Sequence, residues 1–81
     1  MKHERLPSQV KRVIAKFNIP KGAMTAPLQV LLCELRDTEA VRFVVWIRNL
    51  QTGGCFSGNY FKTLKQGVER FTKQIKLEVR H

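Results

Sequence analysis

Residues 42–48 read Arg-Phe-Val-Val-Trp-Ile-Arg, and this run constrains the fold more than any other part of the chain. β-Branched and aromatic side chains are typical of strands. Because alternate side chains of a strand point to opposite faces, the run has one apolar face and one mixed face. The apolar face, expected to be core, holds Phe43, Val45 and Ile47. The mixed face, with an indole between two guanidinium groups, holds Arg42, Val44, Trp46 and Arg48.

Two further runs of strand length flank this one. Residues 28–35 are mostly apolar, and residues 55–61 contain three aromatic side chains. The intervening segments, Asp37–Ala40 and the pair Gly53-Gly54, are typical of turns, the glycines because they adopt a positive φ without steric cost. Short connections favour antiparallel neighbours, so residues 28–61 predict a three-stranded antiparallel sheet.

A helix is predicted after the third strand. Thr63-Leu64-Lys65-Gln66 matches a capping box, in which the Thr hydroxyl and the Gln side chain satisfy free amides at a helix start. The next apolar positions recur at helical spacing and form one stripe, made of Leu64, Val68, Phe71 and Ile75. We therefore expect a helix over 64–76, with this stripe packed on the apolar face of the sheet.

The N-terminal third is ambiguous. Residues 1–6 are predicted to form a flexible arm. The apolar residues Val10, Val13, Ile14 and Phe17 have the spacing of one helical face, which favours a short helix that Ser8 could cap. The same stretch also alternates between apolar and basic residues, so a strand remains open. The predicted fold is α+β in the order α-β-β-β-α, and residues 1–81 form a single small basic domain.

The charge of the chain indicates its class of partner. Fifteen Lys and Arg against six Asp and Glu give a formal charge of +9. Residues 1–27 carry +5, residues 28–61 carry 0 and residues 62–81 carry +4. This imbalance favours a polyanion, and nucleic acid, more often DNA than RNA, is the expected partner. No apolar signal segment follows the charged start and no run resembles a membrane span, so we expect a cytoplasmic protein without a membrane partner.

The sequence shows no constellation for catalysis. His3 and His81 stand at the two ends, the six acids are scattered, and no base lies near a cysteine in sequence. Cys33 and Cys55 form no CxxC motif and are expected to be free thiols in the core. We therefore expect no enzymatic activity, no cofactor and no metal site.

The candidate site residues follow from the mixed face. If that face is open, Arg42, Trp46 and Arg48 project from it and contact nucleic acid by hydrogen bonding and stacking. Lys62 and Lys65 are expected to hold phosphates, and Asn59 and Tyr60 are secondary candidates. The structural alternative is that the N-terminal segment covers Trp46.

The aromatic strand, the Gly turn and Tyr60-Phe61-Lys62-Thr63 leading into a helix resemble the DNA-binding domains built from a three-stranded sheet and a helix. This class includes the AP2 domains and the arm-binding domains of tyrosine-type integrases. The resemblance covers residues 42–75 and implies that the open sheet face reads the major groove through Arg42, Trp46 and Arg48. The helix departs from the pattern, with Gly67 where Ala is common. The α-β-β-β-α order also resembles double-stranded-RNA-binding domains, although only Lys62 and Lys65 match their lysine-rich helix start.

A protein partner is the alternative function. Small basic proteins are common in phages and mobile elements, where many bind and modulate a host protein. Trp and Arg dominate the hot spots of protein interfaces, so the same mixed face could serve there.

Overall fold

The computed structural model describes residues 9–19, 27–36 and 41–79. They form four strands and one helix, which are β1 (Val10–Ile19), β2 (Leu28–Leu35), β3 (Phe43–Asn49), β4 (Cys55–Phe61) and α1 (Leu64–Val79). The strands make one antiparallel sheet in the order β1-β2-β3-β4, so each strand pairs with its neighbour in sequence. The predicted arm at residues 1–6 and the turn at 37–40 lie outside the described residues.

The N-terminal segment corrects the predicted fold. Residues 10–19 form a strand and not a helix, so the sheet has four strands and not three. Pairing with β2 decides the conformation, because a hydrogen-bonded neighbour outweighs the local spacing of apolar residues. The register of β1 shifts between Val10 and Arg12 and again between Val13 and Ala15. With these irregularities, both Ile14 and Ala15 pack against the buried cluster on the side of α1.

The two central strands are buried on both faces. On the side that α1 covers, the buried centre is formed by Val30, Leu32 and Val45. On the opposite side, which we call the helix-free face, the buried cluster is formed by Val10, Leu31, Cys33, Leu35, Val44 and Trp46. The near-continuous apolar runs of β2 and β3 reflect this double burial, since a strand covered on one face only would alternate with polar residues.

The helix begins with the predicted Thr63 cap, which is one of the two bonds of the capping box. The backbone amide of Gln66 donates to Oγ1 of Thr63 over 3.2 Å. The helix approaches the sheet most closely at Gly67, where a Cβ atom would lie 2.9 Å from Cδ1 of Leu32. Phe71 also packs against the buried centre, and Gln74 is buried.

The predicted apolar stripe is only partly correct. Phe71 and Ile75 contact the buried centre, but Leu64 and Val68 are 44% and 45% exposed. The buried side of α1 is therefore rotated away from the middle of the apolar stripe, toward Gly67 and Gln74. A glycine at the closest approach permits this rotation, because it removes the side chain that would hold the helix away from Leu32.

The turn between β3 and β4 forms as predicted. Gly53 has a φ of 81°, and its amide donates to the carbonyl of Asn49 over 2.7 Å. The Asn49 side chain accepts a further bond from the amide of Gln51 over 2.8 Å. This turn fixes the register that places Arg48 opposite Cys55.

Candidate nucleic-acid interface

Trp46, the central candidate from the sequence, is buried. Its exposed fraction is 6%, so the expectation that the indole projects from an open face is wrong. The ring lies over Gly58, where a Cβ atom would be 2.6 Å from Nε1 of the indole. Tyr60 packs edge to face against it, with ring centroids 6.4 Å apart. β4 therefore supplies part of the cover over Trp46.

A bulge in β4 creates this seat for the indole. Val45 pairs with Asn59 and Ile47 with Phe56, so two residues of β4, Ser57 and Gly58, stand opposite Trp46. Ser57 adopts a φ of 56°, a left-handed conformation that is uncommon for a residue with a side chain. The bulge turns the Gly58 backbone toward the ring, and a larger residue there would meet the indole.

Arg48 borders a cavity on the helix-free face. Its residue exposure is 9%, so this guanidinium is largely enclosed and does not project from the sheet as predicted. The cavity has a volume of about 550 Å³ and is lined by Val13, Ile14, Ala15, Lys16, Gln29, Leu31, Arg48 and Leu50. We call it the basic cavity, because two cationic residues, Lys16 and Arg48, line it together with apolar side chains. A volume of this size lies within the range of small-molecule sites.

The polar groups of the basic cavity come from three neighbouring strands. Lys16 pairs with Leu31, and Gln29 pairs with Arg48, so β1, β2 and β3 each contribute a polar side chain. Nε2 of Gln29 donates to Oδ1 of Asn18 over 2.7 Å, which fixes the orientation of the amide. Two of the described residues that line the cavity, Lys16 and Arg48, are cationic. The arrangement can attract an anion and place an apolar group beside it.

The two secondary candidates, Asn59 and Tyr60, lie on opposite faces. Tyr60 pairs with Val44 and shares the helix-free face with Trp46, and it is 47% exposed. Asn59 pairs with Val45 on the helix side, and its Nδ2 donates to the carbonyl of Ser57 over 3.1 Å. Tyr60 is thus the exposed aromatic ring of the helix-free face, while the Asn59 side chain stabilises the bulge.

Arg42 is separated from Arg48. It is exposed and precedes β3, and its amide donates to the carbonyl of Phe61 over 2.9 Å. Six positions of extended chain separate the two arginines, which is about 20 Å at roughly 3.4 Å per residue. Arg42 instead belongs to a charged cluster with Arg12 and Glu34. The hydrogen bond from Nε of Arg12, at 2.7 Å, lowers the pKa of Glu34, and the positive charge of Arg42 contributes.

The two predicted phosphate contacts, Lys62 and Lys65, are exposed at the start of α1. The helix covers the face of the sheet opposite the basic cavity, so the fold does not bring Lys65 together with Arg48. Any contact of Lys65 with an anion therefore belongs to another part of the surface.

Both cysteines are free thiols on the helix-free face. Cys33 is fully buried, and burial, reinforced by the nearby Cys55, raises the pKa of its thiol to about 11. Cys55 is only half-buried, and burial raises its pKa as well. Core placement is thus confirmed for Cys33, whereas Cys55 lies at the rim of the cluster.

Sequence reasoning missed Lys16 and Gln29 as members of a site. Lys16 lies in the segment for which the apolar spacing favoured a helix, and Gln29 lies within an apolar run. Only the pairing of β1 with β2 shows that both lie beside Arg48, and that pairing connects residues far apart in sequence. The basic residues of the alternative β-strand pattern were the one available signal.

Within the described residues, no group of three or more His, Cys, Asp or Glu side chains could hold a metal ion. The same part of the chain contains no helix with the length and apolar character needed to cross a membrane. Comparisons with protein-family models, curated proteins and solved structures found no match.

Proposed function

We propose that this protein is a small nucleic-acid-binding protein, with DNA as the expected polymer, and that it binds without catalysis. The observation that carries the proposal is the basic cavity, which is lined by the cationic side chains of Lys16 and Arg48 and by apolar side chains such as Leu31. The net charge of +9 supports the same class of partner, because it attracts a polyanion over a distance of several ångströms.

The cavity suits one nucleotide at a time. The ammonium of Lys16 and the guanidinium of Arg48 would attract a phosphate, and Leu31 provides an apolar surface for the sugar or base. Tyr60, exposed on the same face, offers a ring on which a further base could stack. A concave site with separate stacking groups fits an unpaired strand better than the flat insertion of a sheet into a major groove.

The test is a titration of the full chain with single-stranded DNA, duplex DNA and single-stranded RNA at two salt concentrations. Fluorescence anisotropy of labelled oligonucleotides reports the affinity. We expect the tightest binding to single-stranded DNA and a fall in affinity with salt, because phosphate contacts release counterions. Lys16→Ala should weaken binding and flatten the salt slope by roughly one unit.

Lys11→Ala is the matched control, since Lys11 is an exposed lysine of the same strand that does not line the cavity. Tyr60→Leu should weaken binding by about 1–3 kcal/mol if a base stacks on the ring. Equal effects of Lys16→Ala and Lys11→Ala on affinity would show that binding depends on overall charge and that the basic cavity is not the binding site. No binding to any of the three polymers would refute the proposal.

A protein partner is the second candidate, as in phage or mobile-element proteins that modulate a host protein. The observation in its favour lies on the other side of the sheet, where several large apolar side chains are exposed along α1. That surface does not overlap the basic cavity.

A further inference from the structure

The outer flank of α1 carries apolar side chains that the fold leaves exposed. Leu64 and Val68 succeed each other at a spacing of four, and Ile75 and Val79 continue the same flank. Leu64, Val68 and Val79 are exposed, and Ile75 is half-buried. A helix flank with this composition is normally covered by another part of the structure.

The sheet provides a second apolar wall beside this flank. The register places Phe17, Val30, Ile47 and Phe56 in one row across all four strands, on the side of α1. The two ends of the row, Phe17 on β1 and Phe56 on β4, are both exposed. Exposure of both edge aromatics shows that α1 leaves part of this row uncovered.

The flank and the row meet at a cavity. Phe17, Ile75, Lys76 and Val79 line a cavity of about 610 Å³. At its C-terminal end, the flank therefore lies beside Phe17 of the row. We call this cavity, together with the exposed flank that leads to it, the apolar groove; the flank is formed by Leu64, Val68, Ile75 and Val79.

The charge around the apolar groove indicates the chemistry of its occupant. Lys76 lines the cavity, and Lys65 is exposed one position from Leu64 in the first turn of the helix. Neither ammonium forms an ion pair with any carboxylate that the structure describes. A second copy of the chain would bring the same lysines and a charge of +9 against these, which opposes self-association.

We propose that the apolar groove binds an acidic amphipathic helix of a partner protein. Leucine-like side chains of that helix contact the walls, and its carboxylates meet Lys65 and Lys76. From Leu64 to Val79 the groove runs about 22 Å at roughly 1.5 Å per residue, enough for four turns of a helix whose anchors recur every three or four residues. The proposal specifies the partner chemistry of the second candidate function and is independent of nucleic-acid binding.

The probe is a designed peptide of about 18 residues, with Leu at positions spaced three and four apart and Glu and Ala elsewhere. A second peptide replaces every Glu by Lys. Titration calorimetry with the full chain should show binding of the acidic peptide and none of the basic peptide. Leu64→Ser and Val68→Ser should each lower the affinity for the acidic peptide by roughly tenfold, since a few apolar anchors contribute most of the binding energy in such interfaces.

Leu77→Ser is the matched control. Leu77 is exposed on the same helix, but it does not line the cavity and lies away from the flank of Leu64 and Val68. It should leave peptide affinity unchanged. Circular dichroism checks that each variant is folded, and single-stranded DNA binding should be the same in all three, which separates this test from that of the basic cavity.

Three results would overturn the proposal. If the basic peptide binds as tightly as the acidic one, Lys65 and Lys76 do not select an acidic partner. If Leu64→Ser and Leu77→Ser have equal effects on affinity, the peptide does not bind in the groove. Absence of peptide binding, together with a concentration-dependent dimer in sedimentation that Val68→Ser disrupts, would assign the groove to a second copy of the chain.

Discussion

Two apolar regions of the molecule differ in their burial. Trp46, on the helix-free face between two arginines of the sequence, is buried, whereas Leu64 and Val68, in the apolar stripe of α1, are exposed. The indole is enclosed because the backbone at Gly58 lies directly against it. The helix stripe is exposed because α1 approaches the sheet through Gly67, with Phe71 and Gln74 on the buried side.

The comparison shows that close backbone approach, and not the polarity of the neighbouring residues, decides which surfaces are covered. In both regions a glycine marks the approach, Gly58 beneath the indole and Gly67 above Leu32. A side chain at either position would meet its neighbour at less than 3.0 Å. The two glycines therefore determine where the backbone packs most closely on the sheet and on the indole. The apolar residues outside these contacts stay exposed and are available to a partner.

The largest expected effect separates the two regions directly. Trp46→Ala should destabilise the protein by about 3–5 kcal/mol, because it removes a buried indole and leaves a cavity. Val68→Ala should cost less than about 1 kcal/mol, because nearly half of that side chain already contacts water. Urea denaturation followed by circular dichroism measures both. Similar losses for the two variants would mean that the helix flank is covered after all.

How much of the fold could be predicted from the sequence depends on how far apart in sequence the interacting residues lie. The strands at 28–35 and 55–61 and the capped start of α1 were predicted correctly, because each depends on local composition and spacing. The local spacing of apolar residues favoured a helix over 10–19, whereas the pairing with β2 that makes this segment a strand joins residues far apart in sequence. Burial of Trp46 was left as an alternative, with cover assigned to the N-terminal segment.

The structure places Gly58 and Tyr60 of β4 against the ring, and only the register of β4 on β3 reveals this. The rotation of α1 had one signal in the sequence, the departure at Gly67, whose steric meaning requires Leu32 beneath it. The candidate site also contains residues that the sequence predicted and residues that it did not. Arg48 and Tyr60 were named from strand phase, whereas Lys16 and Gln29 join Arg48 only through pairing across the sheet.

The contact between Gly58 and the indole of Trp46 gives a second test, with a smaller expected change in stability. Gly58→Ala places a Cβ 2.6 Å from Nε1 of Trp46, so the ring must shift, at a cost of about 1–3 kcal/mol. Trp46 is the single tryptophan, so its fluorescence reports the shift directly. Gly54→Ala is the control, because its Cβ would make an ordinary contact at 3.5 Å with Thr52. If both substitutions leave stability and emission unchanged, Gly58 does not enclose the ring.

The bulge itself gives a third test. Ser57 holds a φ of 56°, which costs about 1–2 kcal/mol for an L-residue. Ser57→Gly removes that strain, but glycine also raises the conformational entropy of the unfolded chain, which offsets part of the gain. We therefore expect a net stabilisation of about 0.5 kcal/mol. Ser57→Val should destabilise by at least about 1 kcal/mol, since a β-branched residue tolerates this conformation poorly. Thermal unfolding of the three proteins should rank them Gly, Ser, Val, and a reversed order would contradict the left-handed bulge.

The reactivities of the two thiols give a further test of the comparison. Cys33 and Cys55 share the helix-free face, one at its centre and one at its rim, so their reactivities measure how well that face is closed. Burial raises the pKa of Cys33 to about 11, so little of the reactive thiolate exists near neutral pH. With an alkylating agent at pH about 8, the single-thiol variant Cys55→Ala should react much more slowly than Cys33→Ala, and raising the pH toward 11 should narrow the difference. Unfolding both variants in denaturant should equalise the rates, which controls for the chemistry of the reagent. Equal rates in the folded proteins would show that the helix-free face is open around Cys33, and the enclosed position of Trp46 in the same cluster would have to be abandoned with it.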